Sequence, residues 1–336
     1  MKKVYLHIGP HKTGSTYIQK ALYENKIQLK EAGLNYPSDE YTQNFAHHRL
    51  AELYFTKKFV QAQALLNNLI GDNTDDIILS SENFDRLDSV SVNQLKQDLS
   101  CYNTKIIFFS RRISDLLVSN WQEDVKHGYT LSWGEYAYKH ILKPFQSNVI
   151  NKNKILDVYA DSFGVESIII LDYSFYEYAK RDIFIELLSL IDVKIEFRKD
   201  KNVQINKSLA YARIELIRAL NSMYSHSNKK VNHFVRTAFL DYVKNNPNCS
   251  DVAAVEDIIK EGYTEVNMGS AFTIKHLDNL FIGKYGNNII ETTSYEDVEK
   301  TYLLPDSDWI FNPIASSKTE RLKGNIDNFY EKVLKI

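Results

Sequence analysis

The sequence predicts an α/β protein: a three-layer core with a parallel sheet flanked by helices, followed by a helical C-terminal extension. Three observations carry this. Short, continuously apolar runs such as Ile77-Ile78-Leu79 and Ile168-Ile169-Ile170-Leu171 recur through the first 200 residues. Stretches of helical periodicity separate them, the pattern of parallel strands buried on both faces by crossover helices. Beyond residue 200 the strand rhythm stops and helical patterns dominate. The expected division is a core at 1–200 and a mainly helical region at 201–336 packed on it. Six prolines and twelve glycines in 336 residues leave no flexible hinge.

In chain order, Lys3 to Ile8 reads as the first strand, closed by Gly9-Pro10. A helix opens at Ser15, with Ile18, Ala21 and Leu22 at helical spacing, and Gly33 is its stop. Arg49 to Leu69 is broadly helical. Ile77 to Ser81 is the second strand and Lys105 to Phe109 the third. Ile113 to Trp121 is a helix with Ile113, Leu116, Leu117 and Trp121 on one side. Ser167 to Asp172 is the fourth strand, followed by a helix at Asp182 to Ile191. Ser208 to Asn221, Val231 to Lys244 and Asp251 to Glu261 complete the predicted helices.

Composition narrows the function. Hydrophobic residues at 44% and charged residues at 25% exclude a disordered chain, a collagen-like chain or a simple coiled coil. The 41 Lys and Arg against 43 Asp and Glu give a net charge of −2, which argues against a general nucleic-acid binder but permits a local anion site. The two cysteines, Cys101 and Cys249, make neither a disulfide framework nor a zinc site, as a reducing compartment would favour. The apolar stretch after Met1-Lys2-Lys3 is short, contains His7 and meets Lys12, too little for a secretory signal. No run approaches a membrane span. A cytoplasmic protein is expected, with its oligomeric state open. No metal is expected: His7 and His11 are four apart, but across a strand and a loop rather than on one helix face.

The most informative segment is Gly9-Pro10-His11-Lys12-Thr13-Gly14-Ser15-Thr16. It follows a strand and opens a helix, the context of a phosphate-binding loop. Unpaired N–H groups at the positive end of the helix dipole bind an anion there. Gly14 permits close approach, and the hydroxyls of Thr13, Ser15 and Thr16 add donors. The nucleotide-triphosphate version places Lys directly after the second Gly. Here Ser15 holds that position and the lysine is Lys12. The second strand ends in Ser80-Ser81-Glu82, without a clear Asp for magnesium, so an ordinary kinase or ATPase is disfavoured. The bland alternative is a tight strand-to-helix connection.

Lys12-Thr13-Gly14-Ser15-Thr16 resembles the 5′-phosphosulfate loop of the sulfotransferase superfamily, usually Lys-Ser/Thr-Gly-Thr-Thr, with Ser15 as the one departure. The superfamily's second signature is an Arg at a strand end and a Ser eight residues later, holding the nucleotide's 3′-phosphate. Arg111 and Ser119 stand at that spacing. Eight residues is a little over two helical turns, and Arg presents a fixed fork of donors suited to phosphate. Arg112 is a competing donor, and a solvated Arg111 beside Asp115 is the bland reading. The stretches Arg111 to Gly128 and Val165 to Val193 are similar to the bacterial polysaccharide-associated branch. The resemblance covers residues 3 to 200 best. It implies a P-loop-like fold, 3′-phosphoadenosine 5′-phosphosulfate as donor with 3′,5′-adenosine bisphosphate as product, and a hydroxyl acceptor, most often a carbohydrate. It implies His11 and Lys12 through Thr16, with Arg111 and Ser119, as nucleotide-binding residues.

Sulfuryl transfer to an alcohol needs a base beside the acceptor and positive charge beside the leaving phosphate, which Lys12 and Arg111 supply. Glu82, just past a strand end, is the first candidate base, since ligands collect at the carboxyl ends of parallel strands. His47 and His48 are its rivals. They point about 100° apart if helical, so at most one faces the site. The structural alternatives are a capping Glu82 and two histidines at a helix start. Two aromatic clusters, Tyr173 to Tyr178 and the group Trp133, Tyr136 and Tyr138, are candidate sugar platforms or core. A displaced-lysine kinase or nucleotide hydrolase and a non-catalytic nucleotide-binding scaffold are the alternative functions.

Overall fold

The computed structural model describes residues 2–38, 42–71, 75–197, 209–225, 234–291 and 300–333. The chain forms two compact units. The first comprises Met1–Arg112, Asn151–Ile205 and His276–Val298; the second comprises Ile113–Ile150, Asn206–Lys275 and Glu299–Ile336.

The first unit is built on five parallel strands: β1 (Lys3–His7), β2 (Leu34–Asn35), β3 (Asp76–Ser80), β4 (Asn103–Ser110) and β5 (Ile168–Asp172). Their order across the sheet is β2-β3-β1-β4-β5. The register sets Leu6 beside Leu79 and Ile106, and His7 beside Ser80 and Ile107. Successive side chains on a strand point to opposite faces, so each apolar run feeds two cores. Val4, Leu6, Ile77, Leu79, Ile106, Phe108, Ile168 and Ile170 pack with the helices His48–Phe55, Phe59–Ile70, Ser89–Asp98 and Lys152–Phe163. Tyr5, Ile78, Ile107, Phe109 and Leu171 pack on the other face against Ile18 and Leu22 of α1 (Ser15–Glu24) and Phe184 and Leu187 of the helix Ile183–Leu190. This is the expected three-layer α/β sheet.

The helical stretch expected at Arg49 to Leu69 is two helices. Lys57 takes a left-handed backbone (φ 59°) and breaks it, with neither Gly nor Pro to announce the turn. The connections leaving β1 and β4 run to opposite edges of the sheet. A crevice therefore opens beyond the carboxyl ends of these neighbouring strands.

In the second unit, helices at Ile113–Lys126, Trp133–Leu142, Tyr211–Ser225, Phe234–Asn245, Ser250–Glu261 and Pro313–Val333 accompany an antiparallel pair, β6 (Tyr263–Val266) with β7 (Tyr302–Pro305). The strand pair was not expected from the sequence. Ser208 and residues 231–233 of the predicted helices lie outside the described residues. Buried charge in this unit is paired: Glu215 accepts from Arg218 and from Trp309 Nε1, and Asp115 accepts from Tyr302 and Lys300. Among the described residues, no helix is long and apolar enough to cross a membrane.

Candidate functional site

The site begins where β1 ends. Gly9 (φ 93°) hands its carbonyl to the N–H of Phe109 on β4. A Cβ on Gly9 would stand 3.1 Å from the Cα of Glu82, so a glycine lets the end of β3 lie directly on the loop. Lys12 turns the chain with φ 68° and Gly14 with φ 80°, and α1 begins at Ser15. The hydroxyls of Thr13 and Ser15 both point back to the Pro10 carbonyl, at 2.6 and 3.4 Å. In this arrangement they stitch the loop, and Thr16 is exposed. No side chain caps α1 and no acid lies in its first turn, leaving the positive end of the helix available to an anion.

Arg111, one residue past β4, donates from Nη1 to the Lys12 carbonyl at 2.5 Å. Its guanidinium lies 5.1 Å from the centre of the Tyr173 ring. The same ring closes on Gly14, where a Cβ would come within 2.9 Å of it. Tyr173 thus braces both the loop and the arginine. Arg112 is held through its backbone N–H by Ser174 Oγ. Ser119 lies on the helix Ile113–Lys126, in the second unit.

On the other side of the loop stands Glu82, half-buried, in the short 3-10 turn Glu82–Arg86 capped by Ser81. Burial alone would raise its carboxyl. The Gln19 amide at 2.6 Å, a backbone N–H and the nearby imidazoles of His48 and His11 outweigh burial and hold it below the usual carboxylate range. Asp85 lies in the same turn. Burial pushes it up to about 7 and the charge of Glu82 adds to this, against Arg86 and the His11 N–H.

The histidines have different jobs. His47 is buried, with Nδ1 accepting the Ser80 N–H at 3.0 Å and Nε2 donating to the Pro37 carbonyl at 2.7 Å. Both ring nitrogens are committed to backbone, so His47 has no lone pair for an acceptor proton. It ties Pro37 to the end of β3. His48 points the other way. Its Nδ1 meets Ser81 Oγ at 2.8 Å and the Asn83 amide nitrogen, a donor, at 3.3 Å. Nδ1 therefore accepts, which places the N–H on Nε2. At His11 the Arg86 guanidinium approaches Nε2 at 3.3 Å, which places the proton on Nδ1. Burial, assisted by Arg86, Lys12 and His48 and opposed by Glu82, pulls His11 down to about 4. His7, in the core of β1 beside Ser80 Oγ, is likewise pulled down by burial to about 4 despite Glu82. The cluster sets one carboxylate beside His11 and His48, able to accept a proton at Glu82 and to donate hydrogen bonds from the two imidazoles.

No protein-family model and no curated protein matches the chain. Among solved structures, a sulfotransferase from Alicyclobacillus acidocaldarius is similar over 68% of this chain and 95% of its own, at 13% identity and a TM-score of 0.38.

The first unit thus brings together His11 to Thr16, Glu82, His48 and Arg111, and turns His47 away. Sequence reading missed Gln19, Asp85, Asn83 and Arg86, and named Tyr173 only as part of an aromatic cluster, not as the ring beside Arg111. Gln19 had a signal: it shares a helix face with Ser15 and Leu22, a polar side chain at a buried position. Of the aromatic clusters, Trp133, Tyr136 and Tyr176 are core, while Tyr138 and Tyr178 are exposed.

Proposed function

We propose that the chain is a sulfotransferase that moves a sulfuryl group from 3′-phosphoadenosine 5′-phosphosulfate to a hydroxyl, with a carbohydrate as the acceptor class. The observation that carries this is the two-sided loop. Arg111, bonded to the Lys12 carbonyl, and the uncapped N-terminus of α1 gather positive charge at the loop, while the backbone of Glu82 rests against Gly9 and its carboxylate is held by Gln19 of α1. A nucleotide-triphosphate site would place lysine where Ser15 stands. The strand β3 also runs out in Ser80-Ser81-Glu82, without a clear Asp placed for magnesium.

The donor set fits the nucleotide. Lys12 and the first-turn N–H groups of α1 would hold its 5′ end and Arg111 the 3′-phosphate, with the Tyr173 ring keeping the guanidinium in place. When bound, the nucleotide supplies the activated sulfuryl group. Lys12 neutralises charge on the departing phosphate side. Glu82, ionised at neutral pH, takes the acceptor's proton, and His11 and His48 offer N–H groups toward growing negative charge.

The test is transfer of labelled sulfuryl from 3′-phosphoadenosine 5′-phosphosulfate to a panel of sugar and phenolic hydroxyls, wild type beside Glu82→Gln. Transfer to at least one hydroxyl is expected, with a loss of about 10²-fold or more in the variant. Nucleotide binding with no transfer to any acceptor would leave a binding scaffold in its place.

A further inference from the structure

We propose that Gln19 is a positioning residue for the base: its side-chain amide, donating to Glu82 Oε2 at 2.6 Å, fixes the carboxylate against the loop and leaves Oε1 to meet the acceptor hydroxyl. The inference rests on the reading of Glu82 as the base. Gln19 sits one turn into α1, on the face that carries Ser15 and Leu22, and is essentially inaccessible to solvent. A long polar side chain on the buried face of an amphipathic helix costs stability unless its amide finds a partner. Glu82 is that partner, on a segment 63 residues away in sequence.

The pairing has chemical direction. An amide N–H bonds more strongly to a carboxylate than to the neutral carboxyl, so Gln19 favours the state of Glu82 that can accept a proton. The remaining groups around Glu82 do not substitute for it. His7 of β1 and His11 of the loop are held neutral by burial. His48, from the helix His48–Phe55, favours the carboxylate from further off. Asp85, in the same turn, and Tyr36, beyond β2, are both raised by burial and further by the Glu82 charge, so neither supplies positive charge to the carboxylate. Gln19 is the side-chain donor in direct contact with the carboxylate. Because α1 also carries the loop at its N-terminus, the contact ties the acceptor-side base to the element that holds the nucleotide. Base and phosphate site then keep one spacing.

The test uses the full chain with carboxyl-13C glutamate, the Glu82 signal assigned by its absence from Glu82→Gln. In wild type Glu82 should titrate below the usual carboxylate range. In Gln19→Met, which keeps length and helix propensity but loses the donor, the titration should rise by about one unit or more, a tenfold change in proton affinity. In Gln19→Glu it should rise further, because two carboxyls at hydrogen-bond distance share one proton. The acid limb of the transfer rate should move with the titration, and the nucleotide KM should hold. A Glu82 titration unmoved in Gln19→Met overturns the proposal even if activity falls, since the residue is then core packing. Should Gln19→Met not fold, Gln19→Glu decides by the same signal. The reading of Glu82 fails separately: Glu82→Gln at wild-type rate removes the base while leaving the titration result intact.

Discussion

Replacing Asp85 by asparagine removes a carboxyl buried against the His11 backbone of the 9–14 loop, and the consequence for stability can be worked out. Asp85 is pushed up to about 7 by burial, from a usual value of 3.8. Its side chain is only 11% exposed, so solvent screening reduces the effect little. Between those two pH values the folded chain keeps a proton that the unfolded chain has released, so this group's contribution to stability falls as pH rises. Roughly 3 units at about 1.36 kcal/mol each give a penalty of up to about 4 kcal/mol above pH 7. A neutral asparagine side chain carries no such penalty. Asp85→Asn should therefore be more stable than wild type near pH 8, by roughly 2–4 kcal/mol, and no more stable near pH 4. His7 and His11, both pulled down to about 4 from 6.5, give the opposite slope below pH 6.5. That slope is present in both proteins and drops out of the difference. Urea unfolding of the pair at several pH values measures it. A difference that stays constant with pH, or that favours wild type at pH 8, would refute the placement of a strained carboxyl under the loop. The penalty has a functional reading: an anion at the loop raises Asp85 further, so nucleotide binding near neutral pH should take up a proton in wild type and not in Asp85→Asn.

Lys12→Ala should lower turnover more than nucleotide affinity, because charge on the departing phosphate grows only in the transition state. Unchanged turnover with weaker binding would make Lys12 an anchor. His47→Ala should cost about 1–3 kcal/mol by leaving the Ser80 N–H and the Pro37 carbonyl without their buried partner. His48→Ala should spare stability and lower the transfer rate. The reverse pattern would exchange the roles given to the two histidines.

The loop and its arginine were legible in sequence because they are local. A strand, a glycine turn and a helix start are contiguous from Lys3 to Thr16, and Arg111 directly follows the apolar run of β4. The surroundings of Glu82 are assembled from distant segments, and there the sequence left choices open. Adjacent His47 and His48 differ by a rotation about the chain, and the Ser80 N–H and Pro37 carbonyl show which ring is consumed in holding the fold. Gln19 needed a partner 63 residues away to have any meaning beyond a polar residue in a helix. Asp85 read as one more polar residue after a strand, because its burial comes from tertiary packing. The two-residue β2 and the β6–β7 pair escaped notice for a related reason: strands so short offer too few residues for a period of two to stand out.

The central claim is a site for a nucleotide carrying both 5′ and 3′ phosphates, and calorimetric binding of 3′,5′-adenosine bisphosphate, AMP and ATP–Mg to wild type and Arg111→Ala tests it most directly. The bisphosphate should bind at least about tenfold more tightly than either competitor, a difference of about 1.4 kcal/mol. Its advantage over AMP should vanish in Arg111→Ala, which should still bind AMP. Equal affinities for the bisphosphate and AMP, or a preference for ATP–Mg, would contradict the account.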